Sequence, residues 1–417
     1  MNHSKRLLLW GHTLLMLVAL ALPGSLRAQG NFVYTADDIR GANTVSAFSV
    51  GPSGALTLLP GSPFLTGGIG IANGYYASNR TTVSAHHNFL FASNAGSNDV
   101  SVFRIHRGTG ALSLVEGSPF ATGGFGDLGG IALSPTPDGR FLMAGNSESS
   151  NVTVFAISSG GALSPIEGSP FAAQSSPDGI RVSPNGKFLA VAEFNANQIE
   201  MFSIAPNGSL TSLGAYPGVA ATGGGIAGVD IDCYPRLLYD AEASTGDTIV
   251  EGYSISDKGA LTPVPGSPFE PGVGRNSNVV LLGYSGGRKT LYVSNESSNT
   301  ITAFKVSSSG SLSLLAGSPF AMNQGSDQPS GMAISRDGRL LYVANRSNMV
   351  SVFSVEEDGV LTEVAGSPFP TGQSGLLDSL TAFPPRAIPI LEALIGGCFF
   401  PEEQRLRSSS DRLPIRP

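Results

Sequence analysis

Short runs of alternating apolar and polar residues, separated by turn signals, recur along most of the chain. Val350-Ser351-Val352-Phe353-Ser354-Val355 alternates strictly, which is the pattern of a half-buried strand. Before it, Gly331-Met332-Ala333-Ile334-Ser335 and Leu340-Leu341-Tyr342-Val343-Ala344 read as two more strands joined through Arg336-Asp337-Gly338. The Asp-Gly pair supplies the positive φ that a tight hairpin needs. Asp358-Gly359 makes the next turn, and Leu361-Thr362-Glu363-Val364 is a fourth strand. Gly366-Ser367-Pro368-Phe369 then leaves the sheet: Pro368 cannot donate to a ladder, and Phe369 plugs the seam to the next unit.

That tetrapeptide occurs six times, from Gly61, Gly117, Gly168, Gly266, Gly317 and Gly366. The intervals are 56, 51, 98, 51 and 49 residues. The long interval is twice 49, so one copy has decayed near Gly214-Ala215-Tyr216-Pro217-Gly218. A fixed period of about 50 residues marks a repeat architecture. Seven units of four antiparallel strands predict an all-β, seven-bladed β-propeller. The first unit begins at its second strand, Phe32-Val33-Tyr34-Thr35, and Leu380-Thr381-Ala382-Phe383 stands where the missing first strand belongs. The two chain ends are therefore expected to share one blade, which removes two open sheet edges.

Outside the repeats, Lys5 and Arg6 precede a mostly apolar run from Leu7 to Leu22, ended by Pro23-Gly24, with Ala28 at a cleavage position. This reads as a secretory signal peptide over residues 1–28. It puts the propeller at 29–386 and predicts a secreted or periplasmic protein. An uncleaved anchor ranks second, because the interrupted run falls short of the roughly 20 apolar residues of a spanning helix. Residues 387–417 match no repeat and read as an atypical, flexible tail.

Charged residues are 13% and glycine reaches 54 of 417 residues, which suits short strands and tight turns. The net charge of −7 comes without a basic stripe, so nucleic acid is excluded as a partner. Two cysteines, Cys233 and Cys398, are no disulfide framework, and no bridge is expected between a core strand and the tail. A monomer is expected.

Leu291-Tyr292-Val293-Ser294-Asn295 and Leu341-Tyr342-Val343-Ala344-Asn345, with Ser183-Pro184-Asn185-Gly186-Lys187-Phe188-Leu189, carry the YVTN-type repeat. On these motifs, residues 31–384 resemble the seven-bladed lactonase family, which includes 6-phosphogluconolactonases and carboxymuconate-lactonising enzymes. The resemblance implies a propeller fold and lactone chemistry. The family's His-x-His pair falls on Asp127-Leu128-Gly129-Gly130-Ile131-Ala132, and its Arg-His pair on Pro177-Asp178-Gly179; neither carries histidine. The glutamate implied nearby falls out of register at Glu193, and an arginine implied after the sixth blade's second strand is Glu296.

Ligands of propellers bind where first strands enter and the second-to-third hairpins return. Five units end the second strand with Asp37, Asn94, Asn146, Asn295 or Asn345, read as Asx-turns. Units four and five instead carry Glu193 and Glu242, and with Asp178, Asp230 and Asp232 they predict an acidic sector. No cofactor is expected, although calcium is the cation that such oxygen ligands suit. Close carboxyls would also serve as an acid/base pair. Against both stands the reading in which Arg181 pairs with the aspartates and the glutamates are solvated. Arg80, Arg275 and Arg346 lie in entry-face segments suited to an anionic ligand. His86-His87 reads as a surface turn on the opposite face. The missing histidines favour a binding scaffold that holds a protein, peptide, glycan or small molecule at the entry face. The alternative is a lactone hydrolase or lactonising isomerase.

Overall fold

The computed structural model describes residues 30–72, 79–84, 86–126, 130–219, 224–234, 236–243 and 246–386. Residues 1–28, expected to be a signal peptide, and residues 387–417, expected to be a tail, lie outside them. The described residues form seven separate antiparallel sheets. Blade one is Ser379–Phe383, Phe32–Ala36, Gly41–Val50 and Leu56–Leu58; blade four is Pro177–Val182, Phe188–Glu193, Gln198–Ile204 and Leu210–Pro217. Blade five is Gly225–Ile231, Leu237–Ala243, Ile249–Ile255 and Leu261–Pro263. The expected closure is present, with Phe32 opposite Phe383 and Ala36 opposite Ser379. The first strands of successive blades pack side by side around the channel, and the closing strand sits between those of blades seven and two.

The apolar interior is divided among seven seams rather than gathered at the centre. Tyr34 and Val45 of blade one pack with Leu90 and Phe103 of blade two, and Ala190 and Ile199 of blade four pack with Leu238 and Tyr253 of blade five. The inner strands of each blade bury both faces because they have a neighbouring blade on either side, whereas the short outer strands are largely exposed. One seam device depends on glycine. Gly110 has φ +71°, and a Cβ there would stand 2.3 Å from the Phe32 ring. The Tyr34 hydroxyl donates to its carbonyl at 2.8 Å, so the hairpin of blade two lies flat on blade one.

The Gly-Ser-Pro-Phe segment does not leave the sheet as expected. The fourth strand of most blades is three residues long against seven in the third, which leaves third-strand N–H groups in need of acceptors. The serine supplies one. Its Oγ accepts from Val102 at 2.9 Å through Ser118, from Val154 at 2.9 Å through Ser169, and from Val352 at 3.0 Å through Ser367. The chain then turns back, and Phe120, Phe171, Phe320 and Phe369 pair with the same third strand. Their rings do pack against the seam to the next blade, as predicted. The six Ser-Pro bonds of these segments are cis. Blade four, without the tetrapeptide, runs its fourth strand on to Pro217 past a bulge near Gly214, so the whole third strand is paired.

Candidate functional site

First strands start at one end of the channel, where the second-to-third hairpins also lie. The asparagines that end the second strands do not make Asx-turns. Each reaches across its hairpin: the Asn146 amide donates to Thr153 Oγ1 at 2.9 Å, that of Asn94 to Ser101 Oγ at 2.8 Å, and that of Asn295 to Thr302 Oγ1 at 2.8 Å. Asp37 accepts from Thr44 at 2.7 Å and Ser46 at 2.8 Å. In the low dielectric of a seam these bonds satisfy groups that would otherwise be orphaned.

At the channel mouth the segment before the first strand of blade two crosses toward blades three and four. The Asn79 carbonyl accepts from Leu133 N–H at 2.8 Å, and its amide donates to the Ile180 carbonyl at 3.0 Å. This crossing buries Arg80, which is 2% exposed. Its Nη1 lies 2.9 Å from Asp38 and 3.7 Å from Asp378. Asp378 also lies 3.0 Å from Arg346 Nε, and Arg346 Nη1 donates to Glu296 at 2.8 Å. A line of alternating charge thus links blades six, seven, one and two. Burial pushes the Asp378 carboxyl up to about 6, against the pull of Arg80 and Arg346.

Asp178, the second residue of blade four's first strand, belongs to the same mouth. It is buried, and Ser176 Oγ donates to its Oδ2 at 3.0 Å. Burial pushes its carboxyl up to about 7; the bonds from Ser176 and the Phe194 N–H and the charge of Arg80 pull the other way, and Glu148 adds to the rise. Asp178 Oδ1 and the Nε and Nη2 of Arg80 have no hydrogen-bond partner among the described residues. A carboxyl pushed up to about 7 by burial therefore shares the channel mouth with a guanidinium two of whose nitrogens have no partner among the described residues.

The predicted acidic sector is split. Asp178 and Arg346 sit at the mouth. Glu193 and Glu242 are at the same end but inside the blade seams, fully buried, so they are not solvated. Asp230 lies toward the far end of its strand, opposite Tyr239. It is clamped by Arg181 at 2.8 Å, by Arg386 at 2.8 Å and by the Leu282 N–H at 2.9 Å. Burial would raise its carboxyl, but the two arginines outweigh that and hold it below the usual range. Asp232 pairs with Lys289 at 2.9 Å and accepts from the Tyr284 hydroxyl. Arg181 thus pairs with one of the two aspartates, as the ion-pair reading anticipated. Arg275 is 67% exposed and stands on the rim, 3.7 Å from Asp247. Asp38 and Asp378 escaped the sequence reading; the one signal for them was position, just after the first blade's second strand and just before the closing strand.

Cys233, buried just beyond blade five's first strand, is disulfide-bonded, contrary to the expectation of no bridge. The other cysteine of the chain, Cys398, lies outside the described residues.

Seven antiparallel blades closed by both chain ends define a seven-bladed β-propeller. The sequence matches the family described as Lactonase, 7-bladed beta-propeller, over residues 72–223 and 245–372, and the chain belongs to that family. Among solved structures it is similar to a putative 6-phosphogluconolactonase from Bacteroides fragilis, at 20% identity and TM-score 0.67, covering 86% of this chain and 99% of that one. It is also similar to the periplasmic gluconolactonase of Pseudomonas aeruginosa, at 20% identity and TM-score 0.63, with the same coverage. At such identity the likeness is one of fold. No protein of curated function matches the sequence.

Proposed function

We propose that the protein hydrolyses lactones of unphosphorylated sugar acids at the channel mouth. The observation that carries the reading is Asp178, a buried carboxyl pushed up to about 7, in the same mouth as Arg80, whose Nε and Nη2 have no partner among the described residues. Near neutral pH about half of such a group is the base form. As carboxylate, Asp178 takes a proton from a water that attacks the lactone carbonyl. Arg80 donates to the carbonyl oxygen as negative charge develops there. The Asp178 acid then returns the proton to the departing ring oxygen, and the ester becomes a hydroxy acid. The charge balance favours an uncharged substrate: Arg80 and Arg346 are already matched by Asp38, Asp378 and Glu296, which leaves no cationic surplus for a phosphate.

Export is part of the proposal. The apolar leader and the disulfide-bonded Cys233 support it, since disulfides persist in oxidising compartments. The name of the Pseudomonas relative, a periplasmic gluconolactonase, agrees. A binding-only ring is the second reading. It is favoured by the absence of histidine from Asp127-Leu128-Gly129-Gly130-Ile131-Ala132 and from Pro177-Asp178-Gly179, where the family's pairs would fall.

The test is a panel of neutral and phosphorylated aldonolactones assayed across about pH 5.5 to 8.5. Neutral lactones should be turned over, with the rate rising through about pH 7 as Asp178 loses its proton. Asp178→Asn should lower kcat by on the order of 10²–10⁴-fold with the fold intact. An Asp178→Asn variant as active as wild type overturns the assignment of the base. Wild type inert on every lactone overturns the hydrolase reading in favour of the binding ring.

A further inference from the structure

Five blades close the second-to-third hairpin with an amide or aspartate against a hydroxyl, as Asn94 does with Ser101 and Asn345 with Ser351. Blades four and five place a carboxyl on both strands. Glu193 and Glu200 hold the two positions in blade four, and Glu242 and Glu251 hold them in blade five. Asp240 stands directly across from Glu251 and on the same face as Glu242. All five are buried, none more than 4% exposed.

The two sets differ in how they are satisfied. The blade-four pair turns toward blade three. There the N–H groups of Ser175 and Gln174 donate to Glu193 and Glu200, each at 2.9 Å, and Ser212 Oγ donates to Glu200 at 2.5 Å. The blade-five trio turns toward blade four. Glu242 accepts from the Asn197 amide at 3.3 Å, and Glu251 from the Val219 N–H at 3.0 Å. Both oxygens of Asp240 and the Oε2 atoms of Glu242 and Glu251 make no hydrogen bond of good geometry among the described residues; the Glu251 N–H near Asp240 and the Tyr253 hydroxyl near Glu251 pull those two carboxyls down only in part against burial. Opposite them blade four presents Ala190, Ala192, Ile199 and Met201, none of which titrates. The ionisable groups acting on the trio are its own members, Tyr253 and Glu270. Among the described residues no positive charge is one of them.

We propose that the seam between blades four and five is a proton-dependent latch, closed while Asp240, Glu242 and Glu251 carry protons and opened locally as they ionise. Three carboxylates cannot stay charged together in an apolar seam without a counter-ion. Burial pushes Glu242 up to about 7 and raises Asp240 and Glu251 as well. The sign follows. Each folded-state pKa is raised, so the stability is fully present below the unfolded values near 4 and is lost as pH rises through the folded values. Glu242, moved from 4.5 to about 7, by itself accounts for roughly a 30-fold shift of the opening equilibrium between about pH 5.5 and about pH 8.5. The latch is independent of any catalytic role for Asp178.

The experiment is hydrogen exchange on the full chain at the two pH values, corrected for intrinsic exchange rates. Peptides covering 188–204 and 237–255 should lose at least tenfold in protection at the higher pH, while blades one, two and seven should not. The Asp240→Asn, Glu242→Gln, Glu251→Gln variant should abolish that pH dependence. Should it fail to fold, Glu242→Gln alone should reduce the dependence. Uniform protection at both pH values overturns the proposal, as does a folded variant with undiminished pH dependence. Full restoration at the higher pH by millimolar calcium overturns it in favour of a cation-bridged seam.

Discussion

Arg386 offers the most direct test of how the ring is held at its far end. It follows the closing strand, and its side chain crosses to blades five and six. There Nη1 and Nη2 meet Asp230 at 2.8 and 3.2 Å, and Nη1 also donates to the Leu282 carbonyl. The Asp230 carboxylate is fully buried and the Arg386 side chain is 19% exposed, so water does little to screen the pair. Orphaning a buried charge outright costs about 3–5 kcal/mol. Arg386→Ala does less, because Arg181 stays 2.8 Å from Asp230 and the Leu282 N–H still donates at 2.9 Å. What is lost is the equivalent of one or two charge-assisted hydrogen bonds, less the regained hydration of the arginine, or about 2–3 kcal/mol. Guanidinium unfolding at about pH 7 should show that loss as a lower midpoint with an unchanged slope. Asp230 is held below its ordinary range, so its contribution is present above the unfolded value near 3.8 and lost as pH falls through the folded value. The difference between wild type and variant should therefore narrow below about pH 4. A loss under about 0.5 kcal/mol at neutral pH would place Arg386 among weak surface ion pairs and refute the clamp.

Two further outcomes are expected. Ser367→Ala removes the acceptor of the Val352 N–H at 3.0 Å and should cost about 1–2 kcal/mol; a change within about 0.3 kcal/mol would show that the repeated serine is not a structural acceptor. Non-reducing peptide mapping should recover the Cys233 peptide in a disulfide, and its recovery as an alkylated free thiol would refute the bond.

The repeat was legible because its signals are local. Alternation in Val350–Val355 and the Asp-Gly turns at Asp337 and Asp358 act within a few residues, and their recurrence is enough to count the blades. Closure was legible too, since a unit lacking its first strand requires one elsewhere. The role of Gly-Ser-Pro-Phe was half legible: Phe369 packs at the seam, but the turn back onto the third strand follows from how far a three-residue fourth strand falls short of a seven-residue third.

The charges are another matter. Asp178 and Asp230 look alike in the sequence, yet one lies at the channel mouth with its carboxyl pushed up by burial while the other is clamped by two arginines at the far end and held below its usual range. Glu242 reads as a polar strand end but is sealed in a seam with Asp240 and Glu251. What the sequence by itself determined was the strand pattern, the sevenfold repeat and the shared blade, all set by side-chain periodicity and turn chemistry. Only the tertiary structure decided which carboxyl meets which guanidinium. Asp38, Arg80, Arg346 and Asp378 come from both ends of the chain and meet only when the ring closes, and burial there pushes the Asp378 carboxyl up.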